Sequence, residues 1–122
     1  MSNPLILGSY ENRRDPRVRV FWRGYVNGDC GRRLDVRTTD ISSSGVGLSG
    51  SEPFALGSVL AITLGVPDPA GSGRTFAVPC QIKVAYSACA GGEYKTGATW
   101  VDLTVDARII IEHWMDRLRF VD

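Results

Sequence analysis

Apolar and polar residues alternate along several short stretches of the chain, and that alternation is its clearest structural signal. From Arg17 to Val26, Val18, Val20, Trp22 and Val26 interleave with Arg17, Arg19 and Arg23, the period of a strand with one buried face. Asn27-Gly28-Asp29 supplies a hairpin-type turn, and a second strand is predicted near Arg33 to Thr39, with Leu34 and Val36 on one face. After a turn at Ser42 to Ser44, Gly45 to Leu48 reads as a short third strand, and Gly50 to Pro53 breaks the chain. A fourth strand is predicted from Val59 to Leu64. A fifth runs from Arg74 to Tyr86 with Phe76, Val78, Cys80, Ile82 and Val84 on one side, and Pro79 at an edge or bulge. Gly91-Gly92 turns the chain into a sixth, Tyr94 to Val101. The period then changes. Ile110, Ile111, Trp114, Met115 and Leu118 fall at helical spacing, with Thr104 as N-cap, Asp106 in the first turn, and Arg117 and Arg119 in the last.

Six short strands followed by one amphipathic helix predict an all-β domain: a small six-stranded antiparallel barrel closed by a C-terminal helix. The length, 122 residues, suits one domain with a single modest core. Residues 1–12 read as a flexible N-terminal leader and residues 13–122 as the domain; the initiating Met1 favours a free-standing protein. At 43% hydrophobic and 22% charged, the chain has a globular rather than a disordered composition. The net charge of +1 argues against a nucleic acid polymer as partner. Positive charge is nevertheless concentrated at Arg13, Arg14, Arg17, Arg19, Arg23, Arg32 and Arg33, which suits a small anionic ligand.

Other classes find little support. No apolar stretch reaches the length of a membrane span, and the first residues lack the basic start of a signal peptide. Cys30, Cys80 and Cys89 include no CxxC pair and His113 is the lone histidine, so neither a metal nor a cofactor is expected. Reduced structural thiols and a cytoplasmic location are the natural reading. Gly45-Val46-Gly47-Leu48-Ser49-Gly50 matches GxGxxG, but a strand-like run follows it where a dinucleotide site needs a helix. Ser42 to Ser44 have only the distant His113 as a base, and no paired carboxylates suggest acid–base work, so no enzyme is expected.

Two clusters carry the chemistry. Arg13-Arg14-Asp15-Pro16-Arg17 sets guanidiniums on a segment that Pro16 keeps from being helical. Asp40-Ile41-Ser42-Ser43-Ser44-Gly45 offers a carboxylate, a hydroxyl and a glycine in a tight turn. A guanine presents N7 and O6 to a bidentate guanidinium and N1 and N2 donors to a carboxylate; an attached phosphate would use the remaining arginines.

In this order, the clusters resemble the RxxxR and (D/N)xSxxG motifs of the PilZ domain family, Arg13 and Arg17 matching the first, and Asp40, Ser42 and Gly45 the second. The resemblance extends from about Glu11 to the C-terminal helix, and the family's split barrel agrees with the strand count. It implies a bacterial receptor for cyclic di-GMP, with Arg14 as a supporting contact. Gly97-Ala98-Thr99-Trp100 resembles the family's late glycine-to-aromatic strand end, so Gly97 and Trp100 join the implied ligand set, although core packing explains the tryptophan equally well. Ligand would order the leader onto the barrel and change contacts with a downstream protein of motility, exopolysaccharide or virulence machinery. Two rivals stand beside this reading. One is a PilZ-like interaction module that binds no nucleotide. The other is a small barrel for single-stranded nucleic acid, for which Arg19, Phe21, Arg23 and Tyr25 supply some interleaving.

Overall fold

The computed structural model describes residues 16–28 and 31–119. Its strands are β1 (Arg23–Asn27), β2 (Arg33–Ile41), β3 (Gly45–Gly50), β4 (Val59–Pro67), β5 (Thr75–Ala90) and β6 (Glu93–Asp102), followed by the helix α1 (Val105–Arg119). Neighbours pair antiparallel in the order β1-β2-β3-β6-β5-β4, and the pairing of Gly24, Tyr25 and Val26 with Leu64, Thr63 and Ile62 closes the ring. The protein is therefore a closed six-stranded antiparallel β-barrel with one C-terminal helix.

The inward rows form the core. Val26, Val36, Ile41, Val46, Leu48, Ile62, Leu64, Val66, Val78, Ile82 and Ala98 meet inside the barrel, and Ala107, Ile111 and Met115 on α1 complete one cluster. Those helix positions recur every fourth residue, which puts them on one face. The Trp114 indole donates to the Pro67 carbonyl at 2.7 Å and stands edge-on to Trp22, ring centroids 6.0 Å apart. Thr104 caps the helix as expected, its hydroxyl accepting from the Ala107 amide at 3.0 Å. Pro79 pairs with β4 on one side, while the β6 ladder begins only at Gln81, so the proline lies where β5 has a strand neighbour on one flank alone. Gly91 and Gly92, at φ 60° and 82°, make the tight β5–β6 turn that other residues would enter under strain. Among the described residues no helix is long and apolar enough to cross a membrane.

Two departures from strict alternation matter. The first predicted strand began at Arg17, yet the regular ladder of β1 begins at Arg23. Thr38 explains the gap. Its buried hydroxyl donates to the Val20 carbonyl at 2.6 Å and accepts from the Trp22 amide at 2.8 Å, replacing ladder bonds with side-chain ones. Residues 17–22 still run beside β2, pinned by an isolated bridge between Val18 and Ile41. The second departure is a set of three register shifts: one between Thr38 and Asp40 on β2, one between Val84 and Tyr86 on β5, and one between Gln81 and Ile82, where β6 carries the extra residue.

Candidate functional site

The shifts at Thr38–Asp40 and Val84–Tyr86 each turn a polar-tipped side chain outward. On β2, Val36 and Thr38 point inward, so strict alternation would bury Asp40 next. The extra residue at Thr39 gives that inward place to Ile41, which is fully buried, and leaves Asp40 on the outer face. On β5, Val78, Cys80, Ile82 and Val84 point inward, and Tyr86 would follow them. The shift leaves it outside instead, 49% exposed.

These two residues end one row across four strands: Asp40 pairs with Gly47, Gly47 with Gly97, and Gly97 with Tyr86. The glycines are required by what lies over them. A Cβ on Gly47 would stand 2.1 Å from Asp40 Oδ1 and 2.6 Å from Thr39 Oγ1, and one on Gly97 would stand 2.0 Å from the Tyr86 ring. The carboxylate and the phenol thus lean toward one another over a bare stretch of backbone.

Arg17 joins them. Its Nη1 donates to Asp40 Oδ2 at 2.9 Å, with side chains 50% and 22% exposed respectively. The Asp40 hydrogen bond chiefly raises the Arg17 pKa above its ordinary value; partial burial opposes it, and the Asp40 charge and the Tyr86 hydroxyl assist. The guanidinium therefore keeps its charge throughout the physiological range. A cleft of about 410 Å³ opens beside the pair, lined by Arg17, Val18, Arg19, Phe21, Thr39, Asp40 and Lys95. Its walls combine cations, one carboxylate and the exposed Phe21 ring, a set able to hold an anionic ligand with a flat aromatic part.

A second row flanks the first. Arg23 pairs with Arg37, Arg37 with Ser49, and Ser49 with Lys95. Glu93 reaches over it, accepting from Ser49 Oγ at 2.6 Å and pairing with Arg37 at 3.3 Å and Lys95 at 3.9 Å. The Ser49 hydrogen bond is the main reason that its carboxyl titrates below the usual range. This row borders a neighbouring hollow of about 590 Å³ that includes Arg23, Asp35, Ser51 and Gly92.

The motif residues divide by position. Arg17 and Asp40 meet at the cleft, while Arg13 and Arg14 lie outside the described residues. Ser42 is 1% exposed, and its hydroxyl accepts from the Ser44 and Gly45 amides at 3.2 and 3.1 Å, shaping the β2–β3 turn. Trp100 braces the same turn, its indole donating to the Ser42 carbonyl at 3.0 Å and its amide to the Ser44 carbonyl at 2.9 Å. Gly45 fits against β6, where a Cβ would stand 2.1 Å from the Ala98 carbonyl oxygen. Gly97 lies in the Asp40–Tyr86 row. The sequence reading passed over Gly47, Lys95 and Tyr86. Lys95 was visible as an outward position on the sixth strand, whereas the other two depend on register shifts that carry no residue signature.

The family model of the PilZ domain matches residues 11–117. No curated protein matches the chain in sequence. Solved structures with the same fold include the Bacillus subtilis inhibitor of motility MotI/DgrA, at TM-score 0.74 and 11% identity, covering 90% of this chain and 52% of that one. The PilZ domain of YcgR from Escherichia coli, solved with c-di-GMP, superposes at TM-score 0.62 and 15% identity over 88% of this chain and 91% of that domain. The K. pneumonia MrkH–c-di-GMP complex gives 0.69 and 17%, covering 88% and 51%. At these identities the likeness is one of fold, and the chain spans about half the length of MotI/DgrA and MrkH. With the family match running from before the first described strand nearly to the end of α1, the chain belongs to the PilZ domain family.

Proposed function

We propose that this PilZ domain is a bacterial, cytoplasmic receptor for cyclic di-GMP, a binding module rather than an enzyme. The observation that carries the reading is the meeting of the two motifs: Arg17 of the first and Asp40 of the second lie 2.9 Å apart at the mouth of one cleft. Two structural relatives, the YcgR PilZ domain and MrkH, were solved with c-di-GMP, which supports the same ligand here.

Binding works by exchange of partners. Asp40 is held by Arg17. The pair is half exposed and worth about 0–1 kcal/mol, so breaking it is a small barrier. Guanine then offers N1 and N2 to the released carboxylate, and Arg17 turns to the O6 and N7 edge or to a phosphate, each a charge-assisted bond of about 1.5–3 kcal/mol. Arg13 and Arg14 add guanidiniums to the same ligand, Gly97 leaves room for the Tyr86 ring beside it, and Ser42, Gly45 and Trp100 present the turn that holds Asp40. The ligand fixes the Arg13 to Arg17 segment against the barrel, and the changed surface alters contact with a downstream protein by about 1–3 kcal/mol.

Calorimetric titration with cyclic di-GMP, with GTP and a short oligonucleotide as controls, tests this. Saturable heat is expected for cyclic di-GMP alone. Arg17→Ala and Asp40→Ala should each weaken binding at least about tenfold while the unfolding transition survives. The rival, an interaction module with idle motifs, draws on the fact that Arg17 and Asp40 already satisfy one another; an absence of heat with the wild-type chain would favour it.

A further inference from the structure

We propose that Tyr86 is a further ligand contact, its ring forming the surface on which one guanine of cyclic di-GMP stacks; this rests on the receptor reading above. Three features converge on that residue. The first is its unusual position. The strand phase set by Val78, Cys80, Ile82 and Val84 would carry the ring into the core, but the register shift after Val84 holds it outside. Bulges that re-aim one side chain gather at binding sites.

The second feature is the support. The ring packs directly on the Gly97 backbone, where a Cβ would stand 2.0 Å from Cε2 and 2.5 Å from Cζ. A ring held flat against a strand, yet 49% exposed, is a preformed platform rather than a swinging side chain. The third is its company. Tyr86 helps to hold the charge of the same Arg17 guanidinium that donates to Asp40. Asp40 Oδ1 lies over Gly47 and the Tyr86 ring over Gly97, and these glycines are paired neighbours on adjacent strands. The carboxylate and the ring are thus separated by about one inter-strand spacing, ~5 Å. A purine laid on the ring reaches Asp40 with its N1 and N2 edge, and Arg17, released from Asp40, turns to the ligand.

Stacking on an aromatic side chain changes binding by about 5- to 150-fold per base. The test compares cyclic di-GMP affinity for the wild-type chain, Tyr86→Phe and Tyr86→Leu, with thermal unfolding of each. Tyr86→Phe keeps the ring and should bind within about twofold of wild type. Tyr86→Leu still covers Gly97 but has no π face and should bind at least about fivefold more weakly. A second readout is the guanine H8 resonance in NMR, expected to move upfield under the ring current in the wild-type and Phe proteins. The stacking role is overturned if Tyr86→Leu binds like wild type, if Tyr86→Phe is as weak as Tyr86→Leu, or if H8 does not move upfield on binding to the wild-type chain. Should Tyr86→Leu fail to fold, the H8 shifts with wild type and Phe decide. Absence of binding to the wild-type chain would overturn the receptor assignment and the stacking role together.

Discussion

Gly45 and Gly47 lie two residues apart on the outer side of β3, and neither has room for a Cβ, but different atoms occupy the space. At Gly45 it is the Ala98 carbonyl oxygen, which cannot move without parting β3 from β6. At Gly47 it is the ends of the Asp40 and Thr39 side chains, which can rotate away. Gly45→Ala should therefore lower unfolding stability by about 1–3 kcal/mol, as overpacked sites do, and urea denaturation measures it. Gly47→Ala should shift the urea midpoint less and act on the site instead. By pushing Asp40 off its present position it is expected to weaken cyclic di-GMP binding at least about tenfold, read by calorimetry. Equal stability losses with unchanged binding would remove the claim that Gly47 serves the Asp40 carboxylate.

Strands and helix were legible to different degrees, for physical reasons. The helix stripe of Ile110, Ile111, Trp114, Met115 and Leu118 lies against the barrel because one face of α1 is buried throughout, and Thr104 caps it as its residue type suggests. Thr104→Ala should destabilise the fold by about 0.5–2 kcal/mol in thermal or urea unfolding, with little effect on ligand affinity, since α1 contributes nothing to the Arg17–Asp40 cleft. The strands were found by alternation but their ends were not. β5 continues to Ala90 rather than stopping at Tyr86, and β2 continues to Ile41 rather than Thr39. Both of these strand ends lie just beyond a register shift. Alternation cannot locate an inserted residue, because Thr39 looks like any strand threonine. That Arg17 and Asp40 face one recess was legible from the motifs, whereas their ion pair was not, and the place of Tyr86 in the row that begins at Asp40 emerges only once four strands are set in register.

The barrel core also sets the molecule's chemistry in alkali. Burial pushes the Cys80 thiol up to about 11, while Cys89, near the β5–β6 turn, is exposed. At pH 8 a small alkylating reagent should label Cys89 in the native protein and leave Cys80 untouched until the chain unfolds, which peptide mass spectrometry resolves. The sign of the stability effect follows. The unfolded thiol ionises near its ordinary value of about 9.0 and the native one only near 11, so the stability from keeping Cys80 neutral is complete below pH 9. It declines as pH rises from there toward 11. A Cys80→Ala variant should lose less stability than wild type over the same interval.

The seam where β1 meets β4 has a consequence for how this domain can meet other proteins. Among the described residues every strand of the ring has a paired neighbour on both flanks, β5 from Gln81 onward, so a foreign polypeptide finds no free edge running the length of the wall. Along the closed part of the wall, recognition by another protein would fall to side chains, such as the outward Arg23, Arg37 and Lys95, rather than to a seventh strand. The same closure denies copies a full-length edge on which to accrete for as long as Gly24, Tyr25 and Val26 stay paired with β4. Conditions that unzip those residues, rather than ones that melt α1, should set the onset of aggregation.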